Sequence, residues 1–172
     1  MNVEAPEPGT WSIDPERSSV SFVTRHMFGL AGVTGTFALD SGEIIVTRPV
    51  GESIVRAAAA AASFSTGSSA RDKKVRATGF LDAAGHPLIS FESQTLRTVG
   101  DAWVLQGTLR ARGVAAPLEL TVTSAEVRGT DLDLKASGSV DRYAHGITAM
   151  KGMAGRHLRI EVDAHATLAE TA

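Results

Sequence analysis

Polar and apolar residues alternate along most of this chain, the pattern of strands that keep one face dry. The cleanest run is the last. Leu158, Ile160, Val162, Ala164, Ala166 and Leu168 fall on one face. Arg159, Glu161, Asp163, His165 and Thr167 fall on the other and are expected to face water. Similar runs cover Leu88 to Leu96, Trp103 to Ala111, Leu118 to Val127 and Leu132 to Val140. The expected connections are short: Val99-Gly100-Asp101, Ala111 to Pro117 and Arg128-Gly129-Thr130-Asp131.

The N-terminal half carries the same signal with more punctuation. Thr10 to Ile13 reads as a short strand stopped by Asp14-Pro15, because proline fixes φ and disfavours helix before it. Ser18 to Met27 places Val20 and Phe22 on one face and Ser19, Ser21 and Arg25 on the other, with Val23 breaking the pattern. Gly29, Gly32 and Gly35 follow; single glycines in a strand pattern read as bulges or bends. A strand from Leu30 to Leu39, a turn at Asp40-Ser41-Gly42 and a strand from Glu43 to Thr47 complete this half. Residues 1–8 read as a disordered arm and residues 9–169 as one domain.

Two stretches depart from the alternation. Ala57 to Ala62 is a run of alanines, which by propensity alone is helix. Its flanks, Ile54-Val55 and Ser63-Phe64-Ser65, and the period of its neighbours favour a strand. A barrel stave lined by methyls leaves volume that other staves would fill, so the run is a cavity signal. Ser68 to Arg76 is the one convincing helix. Ser69 as cap and Asp72 three residues on fit a start signal, with Gly79 as the stop. Arg71, Lys73, Lys74 and Arg76 make it the one basic cluster, either a solvated face or a lid with an anion-facing edge. Counting bent strands once gives about eight, an all-β, antiparallel up-and-down barrel able to hold one ligand, with one short helix beside it.

Composition narrows the function. Lys plus Arg is 17 and Asp plus Glu is 19, a balance that offers no basic stripe for nucleic acid. No cysteine is present, which excludes thiol catalysis and thiolate metal sites. No stretch approaches the apolar length of a transmembrane helix, and the N-terminus MNVEAPEPG has no signal-like apolar run, so a cytoplasmic chain is expected.

Candidate chemistry is sparse. The histidines His26, His86, His145, His157 and His165 form no close pair of metal-ligand spacing. His157 and His165 lie about 26 Å apart on an extended strand at roughly 3.3 Å per residue. Strict alternation points His26 inward with Phe22 and Arg25 outward. His26 reads as a buried anchor, a contact for a ligand head group, or a general base; no nucleophile or oxyanion donor is identifiable. His145 and Arg142 are candidates for a second polar group at the same end. Phe22, Phe37, Phe64, Phe80 and Phe91 serve a core and are also candidates for a ligand lining. Val20, Leu109, Leu120, Ile160 and Val162 join them as inward aliphatics.

Several short motifs occur in a familiar order. They are Trp11-Ser12-Ile13-Asp14-Pro15, Ser18-Ser19-Val20-Ser21-Phe22, Arg25-His26, Gly35-Thr36-Phe37 and Arg71-Asp72. Phe80-Leu81-Asp82-Ala83-Ala84-Gly85-His86-Pro87, Ile89-Ser90-Phe91, Gly107-Thr108-Leu109, Gly113-Val114 and Pro117-Leu118 follow. From about Gly9 to Leu168 the chain resembles the YceI-like family of bacterial lipocalin-like proteins. The resemblance supports the strand reading of the alanine run. It implies a polyisoprenoid in an apolar tunnel and no catalysis. It requires no cofactor, and the bound molecule would be an isoprenoid, an isoprenoid quinone or a fatty-acid-like ligand. It admits a homodimer, although no exposed apolar strand demands one. Family members are often periplasmic. Two departures lie near the C-terminus: a family segment of the form Asn-Arg-x-Asp-Phe-Gly-Ile reads Asp141-Arg142-Tyr143-Ala144-His145-Gly146-Ile147 here, and Met150-Lys151-Gly152-Met153-Ala154-Gly155-Arg156 is also a variant, so a different tunnel mouth is expected. Three functions stay open: an isoprenoid carrier, a small-molecule enzyme using His26 or His145 as base, and a barrel with no ligand.

Overall fold

The computed structural model describes residues 2–26 and 31–171. Its strands are β1 (Asn2–Val3), β2 (Gly9–Ile13), β3 (Ser19–His26), β4 (Ala31–Phe37), β5 (Leu39–Val46) and β6 (Ile54–Ala60). They continue as β7 (Leu88–Val99), β8 (Ala102–Ala111), β9 (Val114–Arg128), β10 (Asp131–Asp141) and β11 (His157–Thr171). One α-helix, α1 (Ser69–Arg76), lies between β6 and β7.

These strands make eight staves. β2 and β3 both pair with β11, at opposite ends of it, and a single 3-10 turn at Pro15–Arg17 separates them. β4 pairs with β3 and β5 with β2, so β4 and β5 form the second bent stave. Each following strand is antiparallel to its predecessor, and β10 to β11 returns the sheet to β2 and β3. The result is the closed antiparallel barrel the alternation implies, with the outer edge of β4 joined through a bridge between Thr36 and Ser65.

The inward residues of the alternation build the interior. Trp11, Leu132 and Ala166 are fully buried at 0% exposure, and Ile13, Leu105, Leu120 and Ala164 join them. Gly35 and Gly107 are required by packing. A side chain at Gly35 would strike the Phe22 ring and the Ser65 carbonyl; one at Gly107 would strike the Phe91 ring and the Glu92 carbonyl. Gly35 is therefore required by close approach and not by a bulge, since the β3–β4 ladder runs without a register shift through it. Gly29, Met27 and Leu30 lie outside the described residues.

Several sequence expectations are corrected. Residues 2–8 are not a free arm: β1 pairs in parallel with Ser124 and Ala125, Glu4 N–H donates to the Ala125 carbonyl, and Pro6 is buried. Trp11 Nε1 donates to the Glu7 carbonyl at 2.9 Å, which ties the arm to the core. Asp40-Ser41-Gly42 is not a turn but part of β5. A register shift between Leu39 and Ser41 absorbs the extra residue opposite β6. The β8–β9 connection is tighter than expected. Arg112 and Gly113, with φ of 51° and 72°, make the turn, and Pro117 sits within β9 opposite Thr108. The alanine run is strand only to Ala60; Ala61–Ser63 is a 3-10 turn.

α1 starts at Ser69, one residue after the expected Ser68. Ser68, not Ser69, is the cap, its hydroxyl accepting from Arg71 N–H, and the helix ends at Arg76 before Gly79 is reached. Asp72 does not answer the cap. It is buried and accepts from Thr66 N–H and from Thr66 Oγ1 at 2.7 Å, which fastens the helix to the preceding loop. His165 points outward as its parity requires but is buried at 6% exposure. Its Nδ1 donates to Asp133 Oδ1 at 2.8 Å, and its Nε2 lies 3.3 Å from Asp131 Oδ1. Side chains from a neighbouring stave, not the barrel interior, cover it.

Candidate functional site

The interior staves do not meet. Between them lies a cavity of about 740 Å³. At one end it is lined by Pro6, Val50, Ser53, Leu96 and Trp103; at the other it reaches Phe64, Phe80, Arg142 and Met150. The inward face of β8 from Trp103 to Ala111 runs beside it, roughly 26 Å of strand at about 3.3 Å per residue.

The volume has a visible origin in sequence. Val55, Ala57 and Ala59 form the inward face of β6 and line the cavity. Ala57 pairs with Phe91 and Ala59 with Ile89, so methyls stand where the next stave, β7, carries large side chains. The void runs against the reading in which the alanines simply allow close packing.

Of the lining candidates, Val20, Phe22, Leu109, Leu120, Ile160 and Val162 contribute to the wall. Phe37, Phe64, Phe80 and Phe91 do so as well. Three of these rings form one cluster: Phe22 stacks on Phe64 with centroids 5.2 Å apart, and Phe37 meets both at 5.6 and 5.5 Å. They act as core and lining at once.

Polar groups on the wall are few. Ser53 Oγ accepts from Thr47 N–H at 2.9 Å. His145 is buried on the wall, and its Nδ1 donates to the Val114 carbonyl at 2.8 Å. That bond leaves Nε2 as the acceptor of the neutral ring. Arg142 is buried at 6% exposure and, among the described residues, forms no ion pair, its neighbour Asp141 being held by Arg156. Its guanidinium donates to the carbonyls of Gly155 (2.7 Å), Ile147 (2.9 Å) and Ala154 (3.1 Å). It also lies over the rings of Phe80 and Tyr143 at 5.5 and 5.0 Å. Burial lowers its pKa, opposed by Tyr143 and Asp141. Asp141 instead pairs with Arg156 at 2.9 Å.

Of the pair Arg25-His26, only the Arg25 side chain lies within the described residues. Arg25 is exposed and is not part of the wall, because Val20, Phe22 and Thr24 share the inward parity. His26 pairs through its backbone with Ala31, and its side chain lies outside the described residues. The sequence weighed the helix cations as a solvated face or as a lid; the fold divides them. Arg71 and Lys74 border the cavity, Lys73 is exposed, and Arg76 donates to the Phe64 carbonyl. Met150 and Met153 also border it, each 41% exposed. The resemblance marks their segment, Met150 to Arg156, as a variant, but no local pattern places the two side chains at the cavity; they lie on a loop held by Arg142. Among the described residues there is no cluster of three or more metal-ligating side chains, and no helix is long and apolar enough to cross a membrane.

Comparison with known proteins follows the same lines. The family model described as a YceI-like domain matches residues 11–166. The crystal structure of Burkholderia cenocepacia BcnA superposes with a TM-score of 0.79 at 18% identity, covering 90% of this chain and 99% of that one. A polyisoprenoid binding domain from Saccharophagus degradans gives 0.70 at 14% identity, covering 92% and 98%. A Campylobacter jejuni YceI protein gives 0.57 at 17% identity, covering 75% and 83%. No curated protein matches in sequence.

Proposed function

We propose that this chain, which belongs to the YceI-like family, is a lipid-binding protein that holds a polyisoprenoid or similar long apolar amphiphile within its barrel. Quinones and polyprenyl diphosphates are the ligand classes meant, and transport, storage or sequestration the roles. One observation carries the reading: a cavity of about 740 Å³ walled by aliphatic and aromatic side chains, with cationic groups and His145 confined to one end. That volume falls within the roughly 300–1,000 Å³ of ordinary ligand sites. An apolar chain needs burial and no directional bonds, at about 25 cal/mol per Å² before binding costs. The fold likeness to a domain described as polyisoprenoid-binding supports the same reading.

The test is native mass spectrometry of the purified protein, with organic extraction and reloading by a polyprenyl phosphate and by a quinone. One-to-one uptake of either supports the reading; a protein that is empty and takes up neither opposes it. The position of His145 on the cavity wall favours a second reading, an enzyme with His145 or His26 as base. Substituting both histidines separates the two. Binding that survives, with no turnover in the parent, favours the carrier.

A further inference from the structure

The cavity opens beside two segments of one chemical character. α1 carries Arg71, Lys73 and Lys74, all exposed, and its single acid, Asp72, is buried and bonded to Thr66. Residues 142–156 contain no acid at all and present Met150, Lys151 and Met153, all exposed. Lys151 Nζ sits 5.1 Å over the Tyr143 ring. Both segments belong to the same end of the barrel. Val75 of α1 and Ala149 and Ala154 of the loop pack on the one cluster of Phe22, Phe64, Phe80, Leu81 and Ile147. Among the described residues none of these four cations is in an ion pair, whereas Arg56, Arg128 and Arg156 all are.

We propose that this end of the barrel docks on an anionic lipid bilayer, with Arg71, Lys73, Lys74 and Lys151 facing the headgroups and Met150 and Met153 inserted between them. Charge decides the occupant. The chain as a whole has a formal net charge of -2, so unpaired cations grouped around exposed methionines are a local feature and not an overall one. Cations attract an anionic leaflet and apolar side chains add insertion, the two signals that surface binding requires. Continuity with the cavity supports the same occupant, because Arg71, Lys74, Met150 and Met153 border both the cavity and the outer surface. Docking there would set the opening against the phase that holds long-chain lipids. This surface goes beyond the carrier reading and does not depend on what the cavity holds.

Vesicle flotation tests it, with phosphatidylcholine alone and with phosphatidylcholine mixed with phosphatidylglycerol, at low and high salt. The full chain is expected to float with the anionic vesicles only and to be released by salt. The variant Lys73→Gln with Lys74→Gln and Lys151→Gln is expected to partition roughly 100-fold less, at about fivefold per charge. Met150→Ser with Met153→Ser should weaken binding while its salt dependence persists. Circular dichroism shows whether each variant retains its strands. Binding to neither vesicle, equal binding to both, or anionic binding that survives loss of the three lysines would overturn the proposal. So would retention on polyglutamate without vesicle binding, which assigns the surface to an acidic protein.

Discussion

Ala57 stands directly opposite Phe91 in the β6–β7 ladder, and Phe91 in turn stands opposite Leu109 on β8. A methyl thus faces the cavity beside Phe91 and Leu109, with only Gly42 opposite it on β5. Ala57→Phe should fill that space. Uptake of a polyprenyl phosphate or quinone is expected to fall at least about tenfold, measured by fluorescence quenching or native mass spectrometry. The thermal midpoint should change little, since the new ring enters a void and not a packed core, where overpacking costs about 1–3 kcal/mol. A large loss of stability with full uptake would mean that position 57 packs tightly and the void lies elsewhere.

Gly107→Ala should behave in the opposite way. Its new methyl would lie 2.5 Å from the Glu92 carbonyl and 2.6 Å from the Phe91 ring, and the carbonyl belongs to the sheet and cannot rotate aside. A loss of about 1–3 kcal/mol in urea denaturation is expected. Unchanged stability would show that β7 and β8 can separate locally.

The fold was legible because a barrel wall has a wet and a dry face, and residue parity records which is which. Val20, Phe22, Leu109, Ile160 and Val162 reach the interior on parity alone. Parity failed where another stave intervened. His165 points outward, yet Asp133, its partner across the β10–β11 ladder, covers it. Asp40-Ser41-Gly42 has turn composition, but pairing with Ala57 and Ala58 holds it in a strand. The capping rule picks Ser69, which has Asp72 three residues on, but Thr66 takes Asp72 and Ser68 becomes the cap, a contact the local rule does not see. The mouth was the least legible part. Arg71, Lys74, Met150 and Met153 reach it through tertiary placement of a helix and a loop that carry no periodic signal.

Asp72 gives a pH signature. Its pKa is lowered chiefly by the hydrogen bond from the Thr66 hydroxyl, with burial opposing. A depressed folded-state pKa adds stability above the ordinary carboxylate value near 4, and this is lost as pH falls through the folded value. Thermal melts should therefore decline below about pH 4, and Asp72→Asn should decline less steeply there while being less stable at neutral pH. Parallel curves for the two proteins would remove Asp72 from the acid transition.

Arg142 holds the loop that carries Met150 and Met153. Arg142→Met strands the carbonyls of Gly155, Ile147 and Ala154 and should cost about 2–3 kcal/mol, the range of hydrogen bonds to a charged group. Arg142→Lys should recover little, because an ammonium lacks the planar fork that reaches three carbonyls. Limited proteolysis should cut both variants between residues 146 and 156 first. Full rescue by lysine would mean that charge alone, and not the fork, orders the loop.

The central claim is that a long apolar molecule occupies the barrel, and crystallographic electron density of protein purified without detergent tests it most directly. Continuous tubular density is expected, running from beside Trp103, past Ala57 and Phe91, to Phe80 and Arg142. An interior holding only ordered water, or one closed by Phe91 and Leu105 with no room beside Ala57, would contradict it.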